Sequence, residues 1–457
     1  MGTDTAVSTN PATGEVLAKY PRHNPKEVSH HLAKARESWL SWRENSIARR
    51  AAVMQKAALL LDAGKERYGR IISLEMGKSL HEAIGEVGKC AWLCRYYAEE
   101  AEAMLAPREV QTDARKSYVC YQPLGLVLGV MPWNFPFWQV FRFAVPALMA
   151  GNGALLKHAS NVQGCAQAIE ELFLRADLPE GLFVNLNIRG EEVEALIARP
   201  EIAAVSLTGS EPAGSAVAAA AGKHIKKSVL ELGGSDPYII LEDADLNLAA
   251  NTCSAGRLLN AGQSCIGAKR FIVLEKVYEA FLQLFIQAMS AARMGDPLKP
   301  DTTLGPLARM DLREQLHRQV QDSIALGAKA LLGGHLPKGP GAYYPPTVLV
   351  DVKPDMPAFK EELFGPVAAV VKAKDEAEAV QLANRSEFGL GAGVFTTDVQ
   401  RGERIALQLE AGNCFVNAFV KSDPRLPFGG IKKSGYGREL SHHGLLEFVN
   451  IKTVYIA

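Results

Sequence analysis

The chain has 457 residues, 48% hydrophobic and 22% charged, and its 50 basic and 50 acidic side chains cancel. That length exceeds one ordinary core and predicts two or three domains. No basic block suits nucleic acid, no acidic tail suits a disordered arm, and the longest apolar runs, such as Leu124 to Met131, are strand-length rather than bilayer-length.

The first residues, Met1-Gly2-Thr3-Asp4-Thr5, lack a basic stretch followed by an apolar run, so no signal peptide is expected. Seven cysteines form no disulfide framework, which points to a reducing, cytoplasmic compartment. Cys90 and Cys94 share a helix face, but no second pair stands at zinc spacing, so no metal site is expected.

Residues 8–20 read as a turn and a short strand. Residues 25–105 are helical in pattern, with Pro25 starting one helix, Ile47 beginning another, and Gly77 and Gly85 as punctuation. Residues 108–123 alternate polar and apolar, as in an extended ribbon suited to pairing with another subunit. From 124 to 233 strands and helices alternate: Leu126–Val130, Ala154–Lys157, Phe183–Leu186, Ala203–Leu207 and Ser228–Leu232 are the strands. This predicts an α/β protein with a parallel, doubly wound sheet, whose ligands sit at the carboxyl ends of strands. A second α/β block begins near Pro237 and runs to about 435, with helix patterns at 276–292, 308–326, 375–384 and 398–410. The chain ends in an apolar-alternating strand, Phe448 to Ile456.

Several short stretches carry chemistry. Cys265 lies in Asn260-Ala261-Gly262-Gln263-Ser264-Cys265, small and polar, with Gly262 permitting close backbone approach. A nucleophilic cysteine needs such an activating site, whereas an isolated cysteine near glycine and serine is often inert. Pro132-Trp133-Asn134-Phe135-Pro136 follows the first strand, and its clamped Asn134 amide suits an oxyanion; the alternative is a structural turn. Lys157 and Ser160 end the second strand, placed for ribose or phosphate, or for a helix cap. Thr208-Gly209-Ser210 would offer backbone N–H groups to a phosphate at a helix start. Glu231-Leu232-Gly233-Gly234 holds a carboxylate between an apolar strand and two glycines, a setting that raises a pKa and suits a base. Glu362 and Phe364 add a carboxylate for a ribose and a ring for a planar cofactor.

Taken in order, Pro132 to Pro136, Glu231 to Gly234, Gly262 to Cys265, Glu362 to Pro366 and Pro427 to Gly435 resemble the aldehyde dehydrogenase superfamily along nearly the whole chain. The resemblance implies two Rossmann-like domains, with NAD(P) bound by residues 1–106 and 124–233 and catalysis in 234–435. Residues 107–123 and 436–457 would then be oligomerisation segments of a homodimer or homotetramer. Cys265 resembles the nucleophile, Asn134 with the Cys265 N–H the oxyanion hole, and Glu231 the base of deacylation. Trp133, Asn134, Lys157, Ser160, Gly209, Ser210, Leu232, Glu362 and Phe364 resemble the cofactor contacts.

Serine at 160, where many NAD-specific members have glutamate, removes repulsion of a 2′-phosphate, so use of both NAD and NADP is expected. Gly267 replaces a second cysteine, excluding a vicinal disulfide. Phe135, Gln139 and Arg142, at helical spacing, are expected along the substrate tunnel, and Arg142 resembles the carboxylate-binding arginine of succinate-semialdehyde dehydrogenases. The alternative is an arginine paired with a neighbouring acid. Leu259 stands where some such enzymes have a second arginine. Ser422 and Asp423, in the loop with Lys421 and Arg425, are the remaining candidates for the substrate end, provided Asp423 is neutralised by Arg425. The expected substrate is succinate semialdehyde or a similar short carboxylated aldehyde; the alternative is a broad range of aliphatic aldehydes.

Overall fold

A computed structural model describes residues 4–457, so the reading of Met1 to Thr3 lies outside the described residues. A hairpin, Thr5–Thr9 with Val16–Pro21, leads into three helices: α1 (Pro25–Trp42), α2 (Ile47–Met76) and α3 (Leu80–Met104). Asn24 caps α1 with a reciprocal bond from Glu27, and Gly77 ends α2 in the left-handed region at φ 85°. Gly85, expected as punctuation, instead lies inside α3, because residues on both sides of it are held in the core.

After strand β1 (Lys116–Pro123) come β2 (Leu126–Met131), α4 (Trp138–Met149), β3 (Gly153–His158), α5 (Gln163–Arg175) and β4 (Phe183–Asn185). Then follow β5 (Ile202–Thr208), α6 (Glu211–Lys223) and β6 (Lys227–Glu231). The sheet runs β6-β5-β2-β3-β4, all parallel, and Gly435–Tyr436 adds an antiparallel edge beside β6. Helices α2 to α5 cover one face, and α1 and α6 the other. Strand order reverses between β2 and β5, which opens a crevice past their carboxyl ends.

A second sheet holds β7 (Asp236–Ile240), β8 (Ala268–Leu274), β9 (Thr347–Val350), β10 (Val367–Ala373), β11 (Gly391–Phe395) and β12 (Asn413–Val416). Its order is β9-β10-β8-β7-β11-β12, parallel throughout, with Lys329–Leu332 antiparallel at the β9 edge. Helix α7 (Leu246–Leu258) connects β7 to the loop that enters β8.

Strand β13 (Val449–Ile456) pairs antiparallel with β1 over eight residues, and Arg108–Glu109 completes a separate three-stranded sheet. Ile451, Tyr455 and Ile456 on it are exposed. Residues 435–448 divide from that ribbon: Leu440, Leu445 and Phe448 are buried in the core of the first sheet, so this stretch packs with the first domain.

Candidate active site

The two domains meet at Cys265. Its loop turns through three successive left-handed residues, Asn260 (φ 56°), Ala261 (φ 53°) and Gly262 (φ 75°). Two of these carry side chains, a strain that persists only when surroundings hold it. They do: the Asn260 amide donates to Asn134 O at 2.7 Å and to Gln263 O at 3.0 Å, and Asn260 N–H donates to Glu82 of α3 at 2.8 Å. A side chain at Gly262 would strike the Gly365 backbone, so the loop packs against the Glu362–Pro366 stretch. Lys269 donates to the carbonyls of Ser264, Cys265 and Gly267 at 3.0, 2.8 and 3.2 Å, and so holds the loop from below. Cys265 thus sits where the chain enters β8, at the amino end of a strand; its partners, not its own strand, supply the carboxyl-end loops.

Cys265 borders two openings. One, about 640 Å³, is lined by Trp133, Asn134, Thr208, Gly209, Ser210, Leu232, Glu362 and Phe364. The other, about 320 Å³, is lined by Phe135, Trp138, Gln139, Arg142, Phe419, Lys421, Ser422 and Phe428, with Lys78 just before α3 and Glu86 and Lys89 on it. Burial pushes the Cys265 thiol up to about 12, partly opposed by Arg142. The Asn134 side-chain amide donates to Gln263 O at 3.1 Å, leaving one amide hydrogen beside the sulfur's loop. In the first opening the Trp133 and Phe364 rings meet edge-on at 5.8 Å. Helix α6 begins there at Ser210 with no side-chain cap, so its first N–H groups stay available to an anion. Glu362 is held by Gly234 N–H at 3.0 Å and lies 3.5 Å from Lys269. Burial raises its pKa against the pull of that lysine.

Glu231 ends β6. It is buried, neither carboxylate oxygen has a hydrogen-bond partner among the described residues, and burial pushes its pKa well up. Its carboxylate borders neither opening; it lies beside Gly429, where a side chain would meet it. Lys157 and Ser160 also lie outside both openings: Lys157 is half-buried without an acid partner among the described residues, and Ser160 is exposed.

Every residue of α4 is buried, which obliges Arg142 to find a counter-charge. It pairs with Glu439, their side chains only 2% and 5% exposed. The Arg142 guanidinium also reaches Thr208 Oγ at 3.4 Å and lies 4.7 Å over the Phe428 ring. Arg142 therefore lines the second opening with its charge already matched, the alternative left open by the sequence. Asp423 is likewise engaged: Arg425 donates to both its oxygens at 2.9 and 2.8 Å and holds its pKa low. Asp423 stands outside the opening that Ser422 lines.

Helix α3 supplies what sequence reading missed. Glu82, Glu86 and Lys89 fall one and two turns apart on one face. Glu82 holds the Cys265 loop. Glu86 accepts from Phe137 and Trp138 N–H at 2.9 and 3.0 Å, capping α4 in place of a side chain at Phe137, and pairs with buried Lys78. Lys89 donates to Ser422 Oγ at 2.7 Å and lies 4.3 Å over the Trp138 ring. The available signal was a polar stripe in a helix whose neighbouring positions are core.

The aldehyde dehydrogenase family model matches residues 2–454. The chain belongs to the aldehyde dehydrogenase family. It is 51% identical over 448 residues to a probable NADP(+) succinate-semialdehyde dehydrogenase of Synechocystis sp., covering 98% of this chain and 99% of that one. It is 50% identical over 450 residues to an NAD(P)+ succinate semialdehyde dehydrogenase of Escherichia coli, covering 98% and 97%. Among solved structures, succinic semialdehyde dehydrogenase from Streptococcus pyogenes in complex with NADP+ superposes with TM-score 0.97 at 38% identity, over 99% of each chain. In this aldehyde dehydrogenase fold, the two parallel sheets and the separate ribbon agree with the architecture expected from the motifs.

Proposed function

We propose that the protein oxidises succinate semialdehyde, or a similar short carboxylated aldehyde, to the acid, using NADP or NAD. The observation that carries this reading is Cys265 at the junction of two openings. One suits a dinucleotide: an uncapped helix start for pyrophosphate, Glu362 for a ribose, and the Trp133–Phe364 pair for a planar ring. The other, about 320 Å³, has room for a short aldehyde. Lys157 and Ser160, at the end of β3, are assigned to the adenosine ribose; exposed Ser160 leaves room for a 2′-phosphate.

In this reading the Cys265 sulfur bonds to the aldehyde carbon as the thiol proton passes to a water molecule, which carries it to solvent. The developing oxyanion accepts from the free Asn134 amide hydrogen and the Cys265 N–H. The bound cofactor supplies the hydride acceptor. Glu231, ionised, takes a proton from the water that releases the acid from the sulfur, and its side chain has to turn from its buried position to do so. Phe135, Gln139 and Trp138, set by the Glu86 cap on α4, shape the tunnel.

The proposal extends to a cytoplasmic homodimer or homotetramer whose subunits meet through the exposed β1–β13 ribbon. Light scattering of the intact chain against a form truncated after residue 448 tests that contact. The test of function is steady-state reduction of NAD and NADP with succinate semialdehyde beside butyraldehyde. Strong preference for the charged aldehyde supports the proposal. Equal use moves the enzyme to broad-range aliphatic oxidation, a reading that the aromatic lining from Phe135, Trp138, Phe419 and Phe428 and the matched charge of Arg142 favour.

A further inference from the structure

We infer that Lys89 and Ser422 together bind the distal carboxylate of the substrate, and that Lys89, rather than Arg142, sets the preference for a carboxylated aldehyde. This rests on the function proposed above and names the part of the tunnel that recognises the charge.

Three buried or half-buried cations line the second opening. Lys78 pairs with Glu86, and Arg142 with Glu439. Lys89 has no carboxylate within ion-pairing distance among the described residues, although it is largely withdrawn from solvent. A desolvated ammonium without a counter-ion is costly, and an anionic ligand offsets that cost. Its nearest acid in the loop, Asp423, is engaged by Arg425. Burial brings the pKa of Lys89 down to about 8, and a bound carboxylate would restore the charged form.

The hydrogen-bond count points the same way. An ammonium has three donors, and Lys89 spends one on Ser422 Oγ at 2.7 Å. Trp138 offers its ring face at 4.3 Å, which leaves two N–H groups for a ligand. Ser422, accepting from Lys89, keeps its own hydroxyl hydrogen to donate. A carboxylate with one oxygen on Lys89 and the other on Ser422 completes both residues. Phe135, Trp138, Phe419 and Phe428 give the opening apolar stretches, which suit the short methylene run between aldehyde and carboxylate, whereas Lys421, also on its lining without an acid partner among the described residues, is exposed and keeps its hydration. Leu259, also on this wall, offers no competing charge.

The test compares wild type with Lys89→Met and Lys89→Arg, using succinate semialdehyde and butyraldehyde. The ratio of kcat/KM for charged over uncharged aldehyde should fall about 100-fold in Lys89→Met, mainly through KM. Lys89→Arg should recover much of it. Succinate binding, measured by calorimetry, should weaken in parallel, which reads the same contact without turnover. An unchanged ratio and unchanged succinate affinity in Lys89→Met would overturn the role of Lys89 while leaving succinate semialdehyde as the substrate. Wild type with no preference between the aldehydes would overturn the functional proposal and this inference together.

Discussion

The most informative perturbation is Arg142→Ala, because the two roles open to Arg142 predict different outcomes. In the structure its guanidinium is paired with Glu439 in a setting almost sealed from solvent. Removing it strands a buried carboxylate whose other contact is Ser206 Oγ at 3.4 Å, and whose pKa burial already raises. Breaking a buried pair from one side costs about 3–5 kcal/mol. At about 2 °C per kcal/mol for a unit the size of the first domain, that is a loss of roughly 6–10 °C in Tm. Glu439→Gln in the same background should recover part of the loss, since a neutral amide needs no counter-charge. Differential scanning calorimetry of Arg142→Ala, Glu439→Gln and the double variant reads this. A Tm within about 1 °C of wild type in Arg142→Ala would refute the structural role, the smallest loss argued from a broken buried pair being several-fold larger. If discrimination for the carboxylated aldehyde collapsed at the same time, Arg142 would be the substrate anchor.

Three further outcomes are expected. Cys265→Ala should abolish turnover yet retain cofactor binding, read by fluorescence titration; residual full activity would remove the nucleophile. Glu231→Gln should keep the rapid first turnover but slow the steady state, and the pH dependence of the steady-state phase separates the roles. Burial raises the Glu231 carboxyl, so it is protonated below its elevated pKa and becomes a base only as pH rises through it. Deacylation in wild type should therefore increase with pH across that range, and the increase should be absent in Glu231→Gln. Ser160→Glu should lower kcat/KM for NADP relative to NAD about 10- to 100-fold, through repulsion of the 2′-phosphate; an unchanged cofactor ratio would move the adenosine ribose away from this side chain.

The α/β class was legible because it rests on local pattern. The strands Leu126–Met131, Gly153–His158 and Ile202–Thr208 are continuous apolar runs separated by amphipathic helices, and such runs have nowhere to go but a sheet covered on both faces. The stretches around Cys265, Asn134 and Glu231 stand out for a related reason: each is short and carries glycines or prolines that constrain its backbone. Helix α7, rich in small and polar residues, and the short antiparallel edges at Lys329–Leu332 and Gly435–Tyr436 carry too weak a local pattern to be legible in the sequence.

Charge assignment belongs to the tertiary structure alone. Arg142 meets Glu439, and Lys89 meets Ser422 across 333 positions, distances over which no periodicity carries information. A cation's role depends on whether an acid lies within a few ångströms in a dry environment, because burial multiplies both the attraction of a partner and the cost of lacking one. The sequence by itself determined the layers, the cysteine loop and the carboxyl-end loops that approach it. Which of the tunnel's cations is already neutralised, and which remains to meet a substrate, was decided only when segments remote in the chain closed on one another.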